Sequence, residues 1–310
     1  MLSRVAEALF WVGRYVERAE DTARLLDVHV HALLEDPWVD EAVACRDVLR
    51  VMGLDSATTG PGARATTHRL AFSRADTSSI AGSLVAAREN ARGVRETLSS
   101  ELWECLNATY HSLQTHELSA DLLGPDPFLR HVRERAATIT GYIEGTMPHD
   151  DGWRFLVLGR SLERVDMTVR LLWARGDHDA GPSWVQLLKC CSAYEAYLRT
   201  YRAAVEPDRV VEFLVLDRLF PRSLYSSLVQ AELCLDGLSP AAGRTGVQDE
   251  ARRLLGRART DLEFLRPVDL HDQLADQLDS LQSACSTVGD ALVDRWFAHG
   301  PSNAWALDAG

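Results

Sequence analysis

Arg14, Glu17, Arg18 and Asp21 recur at three- and four-residue intervals, and Arg160, Glu163 and Arg164 repeat that spacing further along the chain. On a helix turning about 100° per residue each set forms one stripe. Guanidinium forks in such a row can grip a substrate carboxylate or phosphate in two-point fashion, while Glu17 and Glu163 orient the forks or accept protons as catalytic groups. The same residues allow a second arrangement, in which the two stripes pair with one another as a buried ion network. Phe10, Trp11 and Leu25 flank the charged face, and Val5, Val12, Val16, Ala19 and Ala23 lie nearly opposite. This helix is therefore expected to be buried on both sides, where each charge needs a partner.

Other residues join the candidate substrate-binding set. Arg88, Arg92 and Arg95 stand at i, i+4 and i+7, a positive stripe in an acidic protein. Pairing with nearby carboxylates is the alternative reading of that stripe. Glu195 lies among aromatics in Ser192-Ala193-Tyr194-Glu195-Ala196-Tyr197, and Asp217, Arg218 and Arg222 surround Phe220-Pro221 within an apolar run. Trp103-Glu104 with Asn107 forms a weaker cluster. Each of these clusters also reads as an ordinary satisfied helix contact.

Much familiar chemistry is missing. His29 and His31 are two positions apart and do not share a helix face, no metal-spaced Cys/His set occurs, and no metal or cofactor is expected. Phosphate-binding glycine loops and the G-x-S-x-G nucleophile turn are absent. The net charge of −12 argues against non-specific attachment to nucleic acid or anionic membranes. Without a signal-like segment or a long apolar run, the chain is expected to be cytoplasmic, and its six cysteines are expected to be buried free thiols. Lys189 is the only lysine; a GC-rich genome or the bidentate geometry of arginine would each account for the bias.

The elements that must hold these residues are helices. Gly13 to Leu26 reappears as Gly159 to Leu172 at an offset of 146 (14 to 160), and Ser79 to Ala87 matches Ser223 to Ala231 at an offset of 144 (79 to 223). Both matches lie in the same order, which predicts an all-α helical bundle built by internal duplication of a roughly 145-residue unit. The reading is one domain over residues 1–310, with one repeat over about 1–148 and the other over about 149–310. Any site at the junction would have near two-fold symmetry. Helical spacing predicts helices over about 3–35, 39–52, 78–117 (one helix or a kinked pair, capped by Asp76, Thr77 or Ser78), 125–147, 153–175, 183–205, 221–236, 247–265 and 269–299. Turns are expected at 58–63, 176–182 and 237–246, with a short element after Pro207.

Taken together, the doubled Glu17-Arg18 and Glu163-Arg164 pairs, the opening Met1-Leu2-Ser3-Arg4, Ala87-Arg88-Glu89-Asn90-Ala91-Arg92, Trp103-Glu104-x-x-Asn107, Tyr194-Glu195-Ala196-Tyr197 and Asp217-Arg218-x-Phe220-Pro221-Arg222-Ser223 resemble the alpha-E family of bacterial all-helical proteins. The resemblance spans essentially the whole chain. It implies a genomic or fused association with circularly permuted ATP-grasp proteins of the carboxylate-amine ligase type, and with transglutaminase-like and N-terminal-nucleophile peptidase partners. The expected role is an accessory or co-catalytic subunit of a peptide-forming or peptide-modifying amide ligase system, with nucleotide activation on the partner. A stand-alone amide-forming or amide-cleaving enzyme using Glu17 or Glu163, and a purely structural assembly protein, are the other readings.

Overall fold

A computed structural model describes residues 1–55, 60, 62–176, 183–240 and 244–297. Every regular element among them is helical. In chain order these are α1 (Ser3–Glu35), α2 (Glu41–Val51), α3 (Ala63–Phe72), α4 (Ile80–Gly93), α5 (Ser100–Leu123), α6 (Asp126–Thr146), α7 (Asp151–Gly176), α8 (Trp184–Cys190), α9 (Tyr194–Tyr201), α10 (Pro207–Leu216), α11 (Leu224–Leu238), α12 (Glu250–Phe264) and α13 (Pro267–Leu292).

The centre is α1 packed against α7. Their approach is set by two glycines. A Cβ on Gly13 would lie 2.0 Å from the carbonyl oxygen of Leu156, and one on Gly159 would lie 2.1 Å from that of Phe10. Only hydrogen fits at either place, so the backbones meet directly. α4 lies along the other side of α1, and α11 lies along α7. α5 and α6 close over the α1–α4 pair, while α12 and α13 close over the α7–α11 pair. Leu9, Leu26, Phe155, Leu158, Leu84, Leu228 and Phe213 sit within one continuous apolar core. Each such side chain contributes about 1.5–3 kcal/mol by leaving water.

Local sequence explains where the helices start and stop. Ser79 and Ser223 cap α4 and α11 by accepting from Gly82 N (2.9 Å) and Ser226 N (3.0 Å). The α4 cap is thus Ser79, one residue beyond the expected Asp76, Thr77 or Ser78. The predicted 78–117 segment is two helices, because Leu98 is extended and Ser99 starts a new helix by accepting from Leu102 N. Likewise 183–205 divides at Ser192, whose φ of 55° is left-handed, so α8 and α9 replace one continuous helix. α3 was not anticipated. It is short, and its polar residues Arg64, Thr66, Thr67 and His68 obscure its apolar spacing. Pro207 and Pro267 occupy the first turns of α10 and α13, where a missing N–H costs nothing. The last predicted helix starts at Pro267 and passes from α13 into a π-turn over Val293–Phe297, and its expected end at 298–299 lies outside the described residues.

The expected turns at 58–63, 176–182 and 237–246 fall partly or mostly outside the described residues. All six cysteines are free, five of them buried. Among the described residues no helix is long and apolar enough to cross a membrane.

Candidate functional site: the Glu-Arg crossing

The glycine contact brings the two charged stripes into register. Glu163 of α7 is 2% exposed and receives both arginines of the α1 stripe. Arg14 Nε donates to its Oε2 at 2.6 Å, while Arg18 donates through Nε to Oε1 at 2.5 Å and through Nη2 to Oε2 at 3.0 Å. The reciprocal pair runs the other way. Glu17 of α1, 1% exposed, accepts from Arg164 Nε at 2.6 Å and Nη2 at 3.2 Å.

The match extends outward. Arg18 Nη1 reaches the carbonyl of Thr77 ahead of α4, and Arg164 Nη1 reaches that of Pro221 ahead of α11, each at 3.4 Å. Arg24 pairs with Glu20 at 2.7 Å on α1, as Arg170 pairs with Asp166 at 2.9 Å on α7. The aromatic flank faces the same arginines. Trp11 lies under Arg14 and Tyr15 under Arg18, each guanidinium carbon 5.5 Å from the ring centre.

The symmetry breaks at Arg222. Its guanidinium is shared among Glu17 (3.0 Å), Glu20 (2.8 Å) and Asp21 (2.8 Å). At the sequence-matched positions stand Ser78 and Met167, so both the cation and its Asp21 partner are replaced together by uncharged residues. Arg160, matched to Arg14, turns away instead and donates to Glu144 Oε1 at 2.7 Å. Two of its other nitrogens are buried with no hydrogen-bond partner among the described residues.

These surroundings set the charge states. Burial opposes ionisation of Glu17, but the charges of Arg164 and Arg222 outweigh it and hold its carboxyl at about 2. Burial likewise opposes ionisation of Glu163, and Arg14 and Arg18 win there too, keeping its carboxyl below the ordinary value. Asp21 goes the other way. Burial comes first, Arg222 pulls against it, and the neighbouring Glu17 and Glu20 charges add to it, so the carboxyl rises to about 8. Asp21 therefore carries a proton at neutral pH and still accepts from Arg222 through Oδ1.

The remaining sequence candidates lie outside this crossing. Arg88 points toward α5, donating to Asn107 Oδ1 at 3.2 Å and to Glu89, with its guanidinium 5.0 Å from the Tyr110 ring centre. Arg92 pairs with Glu89 at 2.8 Å, and α4 ends at Gly93, so Arg95 belongs to the following turn and the three arginines do not form one helical stripe. Asp217 shapes the turn before α11, accepting from Leu219 N and Phe220 N at 2.8 and 2.7 Å. Arg218 lies over Tyr225 and 3.7 Å from Glu263. Glu195 is exposed on α9 beside a separate polar cleft.

Some groups escaped the sequence reading. Glu20 and Arg24 extend the ion network, a link readable from their i, i+4 spacing. Asp27, His31 and Asp126 bring ligand-type atoms within 4.8 Å of one another, but Arg133 Nη1 sits 3.0 Å from Asp27 and already neutralises that corner. Asp126 arrives from the start of α6, and no spacing signals it. A cavity of about 330 Å³ beneath α2 is lined by Leu25, Val28, Val48, Leu171 and Cys190, together with His29. Burial lowers the His29 imidazole to about 4, so it is neutral there.

Comparison with known proteins agrees with this architecture. The Alpha-E description, "A predicted alpha-helical domain with a conserved ER motif", matches residues 1–297. Uncharacterised proteins of Mycobacterium bovis and Mycobacterium tuberculosis are each 28% identical over 330 residues, a match covering 94% of this chain and 36% of theirs. The chain thus spans about a third of the length of these relatives. No solved structure matches.

Proposed function

Since this chain belongs to the Alpha-E family, we propose that it is an accessory subunit of an ATP-dependent amide ligase system, with Glu17-Arg18 and Glu163-Arg164 as the paired motif that holds its helical body together. The observation that carries this reading is the saturation of both glutamates. A general base needs a free lone pair and an affinity for protons near the working pH. Glu17 and Glu163 are buried, engaged by two arginines each and held ionised, so neither accepts a proton readily nor has one to donate. A stand-alone acid–base enzyme built on them loses its chemistry. The pairs also leave little free guanidinium for a substrate carboxylate at the crossing.

In this reading nucleotide activation resides on a circularly permuted ATP-grasp partner, a transglutaminase-like protein is a second candidate partner, and the complex is cytoplasmic. The family resemblance supports the partnership. The relatives support it in a second way, because their matching segment is about a third of a longer polypeptide, an arrangement suited to a module working beside another. We read the matched contacts of α1 with α7 as the product of an ancestral duplication of a roughly 145-residue unit within one domain.

The test is co-purification of the full chain with an ATP-grasp protein encoded beside it, followed by an ATP-consumption assay against amino acids. A stable complex that consumes ATP only with its ligase subunit present is expected. Amide formation or cleavage by the purified chain alone would overturn the proposal.

A further inference from the structure

Lys189, the single lysine among 33 basic residues, lines a cleft of about 340 Å³ between the C-terminal half of α1, α6, α8 and α9. Six charged groups besides His31 face it: Arg24, Arg133 and Lys189 against Asp27, Glu35 and Glu195. Three of these have partners. Arg24 pairs with Glu20 at 2.7 Å, and Arg133 pairs with Asp27 at 3.0 Å. Lys189, Glu35 and Glu195 have no ion pair or side-chain hydrogen bond among the described residues.

Two of the free charges flank one backbone turn. Ser192 adopts a left-handed conformation that β-carbon contacts disfavour, and it turns the chain sharply from α8 into α9. Lys189, Ser192, Tyr194 and Glu195 around that turn all line the cleft. Val28 and Ala32 of α1 contribute apolar surface to it. A volume of this size suits a small molecule. An anion would satisfy Lys189 but meet the unpaired carboxylates, and a cation would satisfy the carboxylates but meet Lys189.

We propose that this cleft binds a small zwitterion, an α-amino acid or short peptide, with its carboxylate on Lys189 and its ammonium on Glu195 and Glu35. The site deepens the accessory reading by naming a substrate class, and it touches the Glu-Arg crossing at one point. Arg24 at the cleft wall leads through Glu20 and Arg222 to Glu17.

One lysine makes the test clean. Full-length protein labelled with [15N]lysine has one lysine amide resonance, which is titrated with alanyl-alanine and with its doubly capped N-acetyl, C-amide form. The free dipeptide is expected to shift the resonance saturably and to bind at least tenfold more tightly than the capped form. Calorimetry on Lys189→Met and Glu195→Gln, both at exposed positions, separates the two ends. Lys189→Met should abolish the distinction between dipeptide and dipeptide amide, and Glu195→Gln that between dipeptide and N-acetyl dipeptide. An unmoved resonance, or equal binding of capped and free peptide, would overturn the site. Binding by the isolated chain needs no partner, so an intact ligase complex without dipeptide binding rejects the cleft alone, and the reverse result rejects the partnership alone.

Discussion

Asp21 and Glu17 share Arg222, which favours ionisation of both, yet they shift in opposite directions, because at Asp21 burial and the neighbouring Glu17 and Glu20 charges outweigh Arg222, while Glu17 has Arg164 as a second arginine. The consequence is a pH dependence of opposite sign. With its pKa raised from 3.8 to about 8, Asp21 keeps in the folded state a proton that the unfolded chain releases near pH 4. Its contribution to stability is therefore present at low pH and lost as pH rises across that window, with a slope approaching about 1.4 kcal/mol per pH unit. Glu17, lowered from 4.5 to about 2, contributes stability above about 4.5 that is lost as pH falls toward 2. Asp21→Asn should flatten the decline in urea-unfolding free energy between about pH 5 and 8 while preserving the acid-side loss. Identical slopes in variant and wild type would show that Asp21 is ionised in the fold. That Asp21 is special was visible in its replacement by Met167 at the matched position. Its link to Arg222, 201 positions away, was not, because only packing brings the α11 turn onto α1.

At the scale of elements, Gly13 and Gly159 decide how closely α1 and α7 approach. Gly13→Ala would press a methyl group into the Leu156 carbonyl, backbone that cannot rotate aside, and should cost about 3 kcal/mol in denaturant unfolding. Gly141→Ala makes the contrast. Nothing lies within 4 Å of its added Cβ in the interior of α6, so stability should rise by about 0.5–1 kcal/mol. Equal effects of the two substitutions would mean that helix propensity, and not the crossing, governs Gly13. Most helices were legible from apolar spacing and punctuation: α1 spans Ser3–Glu35 as expected, and prolines open α10 and α13. The break at Leu98 was legible only as the alternative of a kinked pair, and the break at Ser192, which carries neither glycine nor proline, was not. α3 was missed because ten residues provide too few apolar repeats to stand out.

Across the whole molecule, two long central helices exchange buried carboxylate–guanidinium pairs between residues 145 to 149 positions apart. Breaking such a pair strands a charge in the core, so its cost far exceeds that of the surface pairs around it. The reciprocal stripes were readable from spacing and from the aromatic flank. The full burial of Glu17 and Glu163 was not, since a cleft and a sealed network place the same residues on the same faces. The account's central claim is that this crossing is a sealed structural junction and not an open site. A double-mutant cycle on Arg18 and Glu163, read by urea unfolding of Arg18→Met, Glu163→Met and the double variant, tests it most directly. Each single substitution should cost about 3–5 kcal/mol, and the double variant about 2 kcal/mol or more less than their sum. Single variants that unfold within about 0.5 kcal/mol of wild type, with additive effects, would contradict the claim and return Glu163 and Arg18 to the surface of a functional cleft.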